Sequence, residues 1–382
     1  MNELHIDKTH WKKYRFDEMV QNISERVEPS QTDLDMYVGL EHIDPDTLHL
    51  SRHGHPSDVE GIKLRFYKGA IIFGRRRAYQ RKTALATTDG ICSAHAMVVR
   101  AKEDVVDPMF LPFLFHSKNF IDMAITTSVG GLSPTINWKD IAKQEFLLSP
   151  KAEQKRLAEL LWAADEVVEK EKRELQGLEK LYYCTISDVF HNQPKYCKLG
   201  SLCEIKSGFA FPLKYQGKKD LPIPFFKVAD MNHPNNRFEM KESNNYVDDS
   251  ILKTIKGQTY PAGSLVFPKI GATINTDKKR MLSMNSVVDN NIMVLIPNKK
   301  QLDSHFLFYF FNTFKLSDII NTGAVPTISA ETVRNIQIPD LDIAEQKIIA
   351  NQIDTIRLAI SQQEQLIEQS QQIKQELINK IY

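Results

Sequence analysis

One stretch of this chain is written twice. Pro134-Thr135-Ile136 returns as Pro326-Thr327-Ile328, and Ala152-Glu153-Gln154-Lys155 returns as Ala344-Glu345-Gln346-Lys347, both 192 residues on. That offset is about half of 382 residues, a length beyond the usual size of a single core, so two domains are expected. A twofold repeat is too coarse for a solenoid and reads as a tandem duplication, an internal pseudo-dimer.

The repeat extends along two helical patterns. Leu157, Leu161, Ala164, Val168 and Leu175 fall onto Ile349, Ile353, Ile356, Ile360 and Ile367 at the same offset. Steps of 4, 3, 4 and 7 describe the seam of a coiled coil, narrower than the stripe of a helix lying on a globular core. The helices are expected from about residue 152 to 188 and from about 343 to the end, each about 55–60 Å long. Each seam needs a partner, and the economical partner is the other helix. Gln363 and Ser370 interrupt the second seam.

The segments before the helices correspond in order. "MYVGLEHID" matches "FFKVADMN", "KGAIIFGRRRA" matches "PAGSLVFPKIGA", "SAHAMVVRA" matches "DNNIMVLIP", and "DPMFLPFLFHSKNF" matches "LDSHFLFYFFNTF". Short β-branched runs bounded by Gly or Pro read as strands, and the Phe-rich stretches read as short helices. The expected class is α+β: two mixed α/β globules at 1–150 and 192–342, each followed by a long helix, at 151–191 and 343–382.

Apolar residues at 42% and charged residues at 25% are those of an ordinary globular protein. The N-terminal "MNELHIDKTHWKKYRF" has no apolar core, and no later run reaches the length of a membrane span, so a cytoplasmic protein is expected. Four sparse cysteines fit a reducing compartment. No phosphate loop, dinucleotide turn, His-Glu-x-x-His or Cys-x-x-Cys pair is present, and the histidines of "HLSRHGHPSD" sit in a loop. No catalytic residue, metal or bound cofactor is assigned. One near miss is Asp340, Glu345 and Lys347, which resembles a nuclease metal pattern, but Glu345 opens a helix only five residues after Asp340. A structural use of the repeated tetrad is preferred, with Glu favouring the helix dipole and Gln and Lys pinning the helix to its globule.

Net charge is only +1, yet from Gly61 to Lys82 there are eight Lys or Arg and no acid. Arg75, Arg76, Arg77, Tyr79, Arg81 and Lys82 make a loop able to bind phosphates or read guanine bidentately. The matching place in the second half offers Lys269, Thr273, Asn275, Lys278, Lys279 and Arg280. The same place with different side chains is what two readers of different DNA sequences would show. Two such surfaces about one helical turn apart, roughly 34 Å, would meet two half-sites of double-stranded DNA across an unread gap. The competing readings are the metal nuclease and a scaffold whose basic loops are incidental.

Taken in order, "KLGSL" with "IKSGFAFPLKY", "IPFFKVADM", "VDNNIMVLIPN" and the two "AEQK" helix starts resemble the specificity subunits of type I restriction-modification systems, and the likeness covers essentially the whole chain. The resemblance implies two target recognition domains joined by helices packed as an antiparallel coiled coil, with internal pseudo-twofold symmetry. It implies a non-catalytic DNA-binding subunit that specifies an asymmetric, bipartite, gapped target. The implied partners are two modification subunits, adenine-N6 methyltransferases using S-adenosylmethionine, and restriction subunits using ATP and Mg2+. The helices near 152–181 and 343–366 would be the docking surface. A methyltransferase-only or related defence system would use the same kind of subunit.

Overall fold

The computed structural model describes residues 6–191, 193–321, 323 and 325–382; the first five residues of the N-terminal stretch read above lie outside it. The chain divides into two compact units, residues 1–173 with 364–382, and residues 174–363.

In the first unit, four antiparallel strands run in the spatial order Val20–Ile23, Ala96–Ala101, Ile71–Gly74, Thr83–Leu85. The central strand is apolar on both faces because both are covered. Ile71 and Phe73 enter a core with Phe16, Phe110, Phe115 and Phe120, while Ile72 between them enters another with Val38 and Phe66 from a second sheet. The second unit repeats this plan with Cys203–Ser207, Ile292–Pro297, Leu265–Pro268 and Arg280–Leu282, and Glu239–Met240 adds a parallel edge. Leu265 and Phe267 face one core and Val266 the other. In both units the small second sheet contains a parallel pair, Tyr37–Val38 with Gly90–Cys92 and Ile223–Phe226 with Val287–Val288. Gly208, directly after the strand Cys203–Ser207, has no room for a side chain: a Cβ there would lie 2.1 Å from the Val288 carbonyl oxygen.

The long helices span Lys151–Phe190 and Ile343–Ile381. Within unit one, the first half of the earlier helix runs antiparallel to the last part of the later one. Asp165 pairs with Lys374 at 3.1 Å, and Ser370 donates to Glu171 at 3.0 Å. The buried stripe is wider than the seam read from the sequence, since Ala158 and Asp165 join Leu157, Leu161 and Val168. The reason is that Leu157 and Leu161 serve the globule's own core as well, together with Ile378, Ile381 and Tyr382. Within unit two, Ile186 and Phe190 share a core with Ala350, Ile353 and the aromatic helix Ser304–Phe311.

The repeated tetrad explains how each helix is fixed. Gln154 and Gln346 are each 1% exposed. Gln154 accepts from the Asp107 amide at 2.7 Å and donates to the carbonyls of Ser149 and Val105. Gln346 accepts from the Asp303 amide at 2.9 Å and donates to those of Leu341 and Gln301. Lys155 and Lys347 are exposed, so in both copies it is the glutamine and not the lysine that pins the helix, with Glu153 adding a contact to His10 at 3.1 Å in unit one. Asp340 is ion-paired with Lys195, and Glu345 closes the first turn on the Asp342 amide. Among the described residues no group of three His, Cys, Asp or Glu could hold a metal, and no helix is long and apolar enough to cross a membrane. Cys92 and Cys203 are buried, which pushes both thiols up to about 12.

Two predictions follow from the helix contacts. Gln154→Leu removes the partner of three backbone polar groups, the Asp107 amide and the Val105 and Ser149 carbonyls, and should lower unfolding free energy by about 2–3 kcal/mol in urea titrations. A loss below about 0.5 kcal/mol would mean the contact is not structural. The second concerns Asp165, which His49 also contacts at 2.5 Å. Burial pushes the Asp165 carboxyl up, but the His49 hydrogen bond and the Lys374 charge outweigh it and hold it below its usual value. The hydrogen bond to Asp165 raises the His49 pKa against burial. A raised histidine stabilises fully below its unfolded value, about 6.5, and that stability is lost as pH climbs through the folded value. His49→Gln should therefore cost more stability near pH 5.5 than near pH 9, and a pH-independent cost would sink the assignment.

Candidate nucleic-acid interface

The strand Ile71–Gly74 runs straight into the arginine loop, and the repeated Pro-Thr-Ile motif holds the loop's base. Ile136 donates its amide to the Arg75 carbonyl at 3.0 Å, and Arg77 donates to that of Pro134 at 2.7 Å. In unit two, Ile328 donates to Lys269 at 2.9 Å and Gly271 to Pro326 at 2.8 Å. The clamp therefore sets Arg75 equivalent to Lys269 and Arg77 to Gly271. Both Arg77 (φ 57°) and Gly271 (φ 73°) are left-handed, and each opens a 3₁₀ turn, Ala78–Gln80 or Gly271–Thr276. A second left-handed residue, Arg81 or Asp277, closes each turn.

The side chains of the first loop divide into two sets. Arg75 donates to the Ala94 carbonyl at 3.1 Å; Arg76 and Arg77 both reach the Ser133 hydroxyl at 3.2 Å. Arg76 also lies 3.3 Å from His95 Nε2. Burial, then the Arg76 and Arg75 charges, lower the His95 pKa, which favours the neutral ring as acceptor. No ion pair neutralises Arg75, Arg76 or Arg77 among the described residues, and Tyr79 beside them is 50% exposed. Arg81 and Lys82 point elsewhere. Arg81 pairs with Asp46 and donates to the His116 carbonyl and Gln375, while Lys82 donates to the Leu40 carbonyl. Ser133 and His95 were not singled out from the sequence; the only signal was that Ser133 directly precedes the repeated motif.

The second loop divides likewise. Lys279 is 2% exposed and bonds the Phe314 carbonyl and Asp277, and burial lowers its pKa against the Asp277 contact. Arg280 donates to the Lys279 carbonyl at 2.8 Å, and Lys278 contacts Asn232. Lys269 donates to Ser207 at 2.7 Å, and the Thr273 hydroxyl to the Ile270 carbonyl. Asn275 is exposed at the turn. The first loop offers guanidinium groups and a phenol, the second chiefly neutral polar groups.

Two copies of one unit, each offering a clamped polar loop at the same place with different side chains, form a duplicated recognition scaffold. The family model of the type I restriction modification DNA specificity domain matches residues 10–180 and again 194–372, and the chain belongs to that family. The type I restriction enzyme EcoDI specificity subunit of Escherichia coli is 29% identical over 189 residues, 48% of this chain and 42% of that one. The MjaIX specificity subunit of Methanocaldococcus jannaschii is 22% identical over 317 residues, 76% of this chain and 71% of that one. The match thus spans less than half the length of the EcoDI subunit but most of the MjaIX subunit. Among solved structures, a chain from a study of complex assembly in a type I R-M system has TM-score 0.63 at 18% identity, covering 97% of both chains. The S subunit from M. genitalium has TM-score 0.58 at 14% identity, covering 99% of this chain and 98% of that one. At these identities the likeness is one of fold.

The left-handed Arg77 gives a test separating backbone from charge. A non-glycine residue there costs roughly 1 kcal/mol, so Arg77→Gly should be about that much more stable than Arg77→Ala, while both lack the guanidinium. Equal thermal stabilities of the two variants would refute the left-handed assignment.

Proposed function

We propose that each unit reads one part of an asymmetric, two-part DNA target on behalf of a restriction-modification complex. The observation that carries this reading is the equivalence of the two loops: one backbone clamp, one left-handed turn and different side chains. A duplicated scaffold with conserved geometry and divergent tips is suited to specifying two unlike half-sites. Arg75, Arg76, Arg77 and Tyr79 are the contacts of the first unit. Lys269, Thr273 and Asn275 are those of the second. Arg81, Lys82, Lys278, Lys279 and Arg280, also read from the sequence as DNA-binding, act by holding the loops in shape. The loop arginines supply phosphate or guanine contacts, and the neutral groups of the second loop favour base edges.

The chain performs no chemistry in this scheme. Two modification subunits, using S-adenosylmethionine to methylate adenine N6, dock on the long helices, and restriction subunits using ATP and Mg2+ join through them. Exposed apolar side chains on the helices support such docking: Leu160 and Val167 in unit one, Leu181, Ile348 and Leu358 in unit two, each between 41% and 59% exposed. The setting is cytoplasmic, where the cell's DNA is.

A genome-wide map of methyladenine, in cells with and without this chain but with its neighbouring methyltransferase, tests the proposal. A gapped, two-part motif that vanishes with the chain is expected; unchanged methylation would overturn it. In purified complexes, Arg76→Ala with Arg77→Ala should weaken binding and flatten the salt dependence by about 0.9 in log–log slope per lost phosphate contact. An unaltered slope would remove these two residues from the interface.

A further inference from the structure

A cavity of about 320 Å³ opens in unit one beside the base of the arginine loop. Asn22, Ser24, Arg26, Lys63, Arg75 and Trp138 line it, and no Asp or Glu does. The matching corner of unit two is tied by a side-chain contact. There Lys269, equivalent to Arg75, donates to Ser207, which sits opposite Met293 in the sheet. The residue of unit one opposite the matching Met97 is Ser24, next after Ile23, which pairs with Val98. Arg75 leaves Ser24 alone and donates instead to Ala94, and Trp138 stands where the 192-residue offset puts Ala330 in the second half. The two units thus differ here: a lysine–serine contact in one, a space with three cations and an aromatic wall in the other.

We propose that this cavity binds a nucleotide, its phosphate among Arg26, Lys63 and Arg75 and its ring against Trp138. Arg75 is pre-set for this role by the Ala94 carbonyl, which fixes its guanidinium at the wall. Lys63 is held by the carbonyls of Glu60 and Gly61 and keeps one of its three N–H groups for a ligand. Charge-assisted bonds hold the phosphate, and an aromatic face accepts any base, so the ligand is defined by chemistry and not by base identity. The volume lies at the lower end of small-molecule sites, the size of one nucleotide unit. That unit is either a free nucleotide or part of a DNA strand bound by the adjacent loop.

The test is tryptophan fluorescence of the full-length chain titrated with AMP, with inorganic phosphate and with a duplex carrying the mapped target. AMP should give a saturable change that is absent in Trp138→Phe and weakened about tenfold in Arg26→Ala with Lys63→Ala. Arg26 is exposed, so its removal leaves the fold intact. Displacement of AMP by the duplex supports a DNA strand as the source, and independent binding supports a free nucleotide. No saturable change up to about 10 mM AMP, an unchanged affinity in the double variant, or inorganic phosphate binding as tightly as AMP would each overturn the assignment. If duplex binding persists in that case, the DNA-reading proposal stands while the cavity proposal falls.

Discussion

A buried glutamine at the start of each long helix is the contact on which both units depend. The first turn of a helix leaves amides without partners, and the chain that leads into it leaves carbonyls in the same condition. The first-turn amides are met by the Pro150 carbonyl and by Asp342, while Gln154 and Gln346 use one side chain each to accept from a globule amide and to donate to the carbonyls of the lead-in and the globule. A lysine or glutamate could do only half of this. The arrangement sets the direction in which the helix leaves its globule, and therefore which helical face turns inward.

That face then shapes the core. In unit one, Leu157 and Leu161 are both helix seam and globule interior, and Tyr382 closes the arrangement by stacking on Phe110 at 4.8 Å and donating to its carbonyl. The polar members of the seam are satisfied by one another, Asp165 by Lys374 and His49, Glu171 by Ser370. Buried pairs of this kind add little net stability but penalise any shift in register, because a slipped helix would strand a charge. Unit two solves the same problem with different residues: Asp354 accepts from His305 and Tyr309 and pairs with Arg357.

At the other end of each sheet, the Pro-Thr-Ile clamp separates geometry from chemistry. Its hydrogen bonds use only backbone atoms of the loop, at Arg75 and Arg77 or at Lys269 and Gly271, so the clamp survives a change of side chain, at no backbone cost at Arg75 or Lys269 and with a preference for glycine at the left-handed Arg77 and Gly271. This is the physical basis on which one scaffold can carry two specificities. It also accounts for why this motif, and not the loop itself, is the part repeated in the sequence.

The duplication, the α+β class and the two long helices were legible in the sequence, because a fixed offset and a helical period are properties of spacing alone. The place of the loops was legible too, since each follows an apolar strand that must be covered on both faces. What spacing could not show was the direction of individual side chains. Arg77 and Arg81 are four residues apart in one basic run, yet the first meets Ser133 beside other arginines while the second is drawn to Asp46, His116 and Gln375. The cavity beside Trp138 was equally hidden, because it depends on which of two equivalent serines receives a hydrogen bond. Those outcomes are set by groups from distant parts of the chain, and only the folded structure brings such partners within reach.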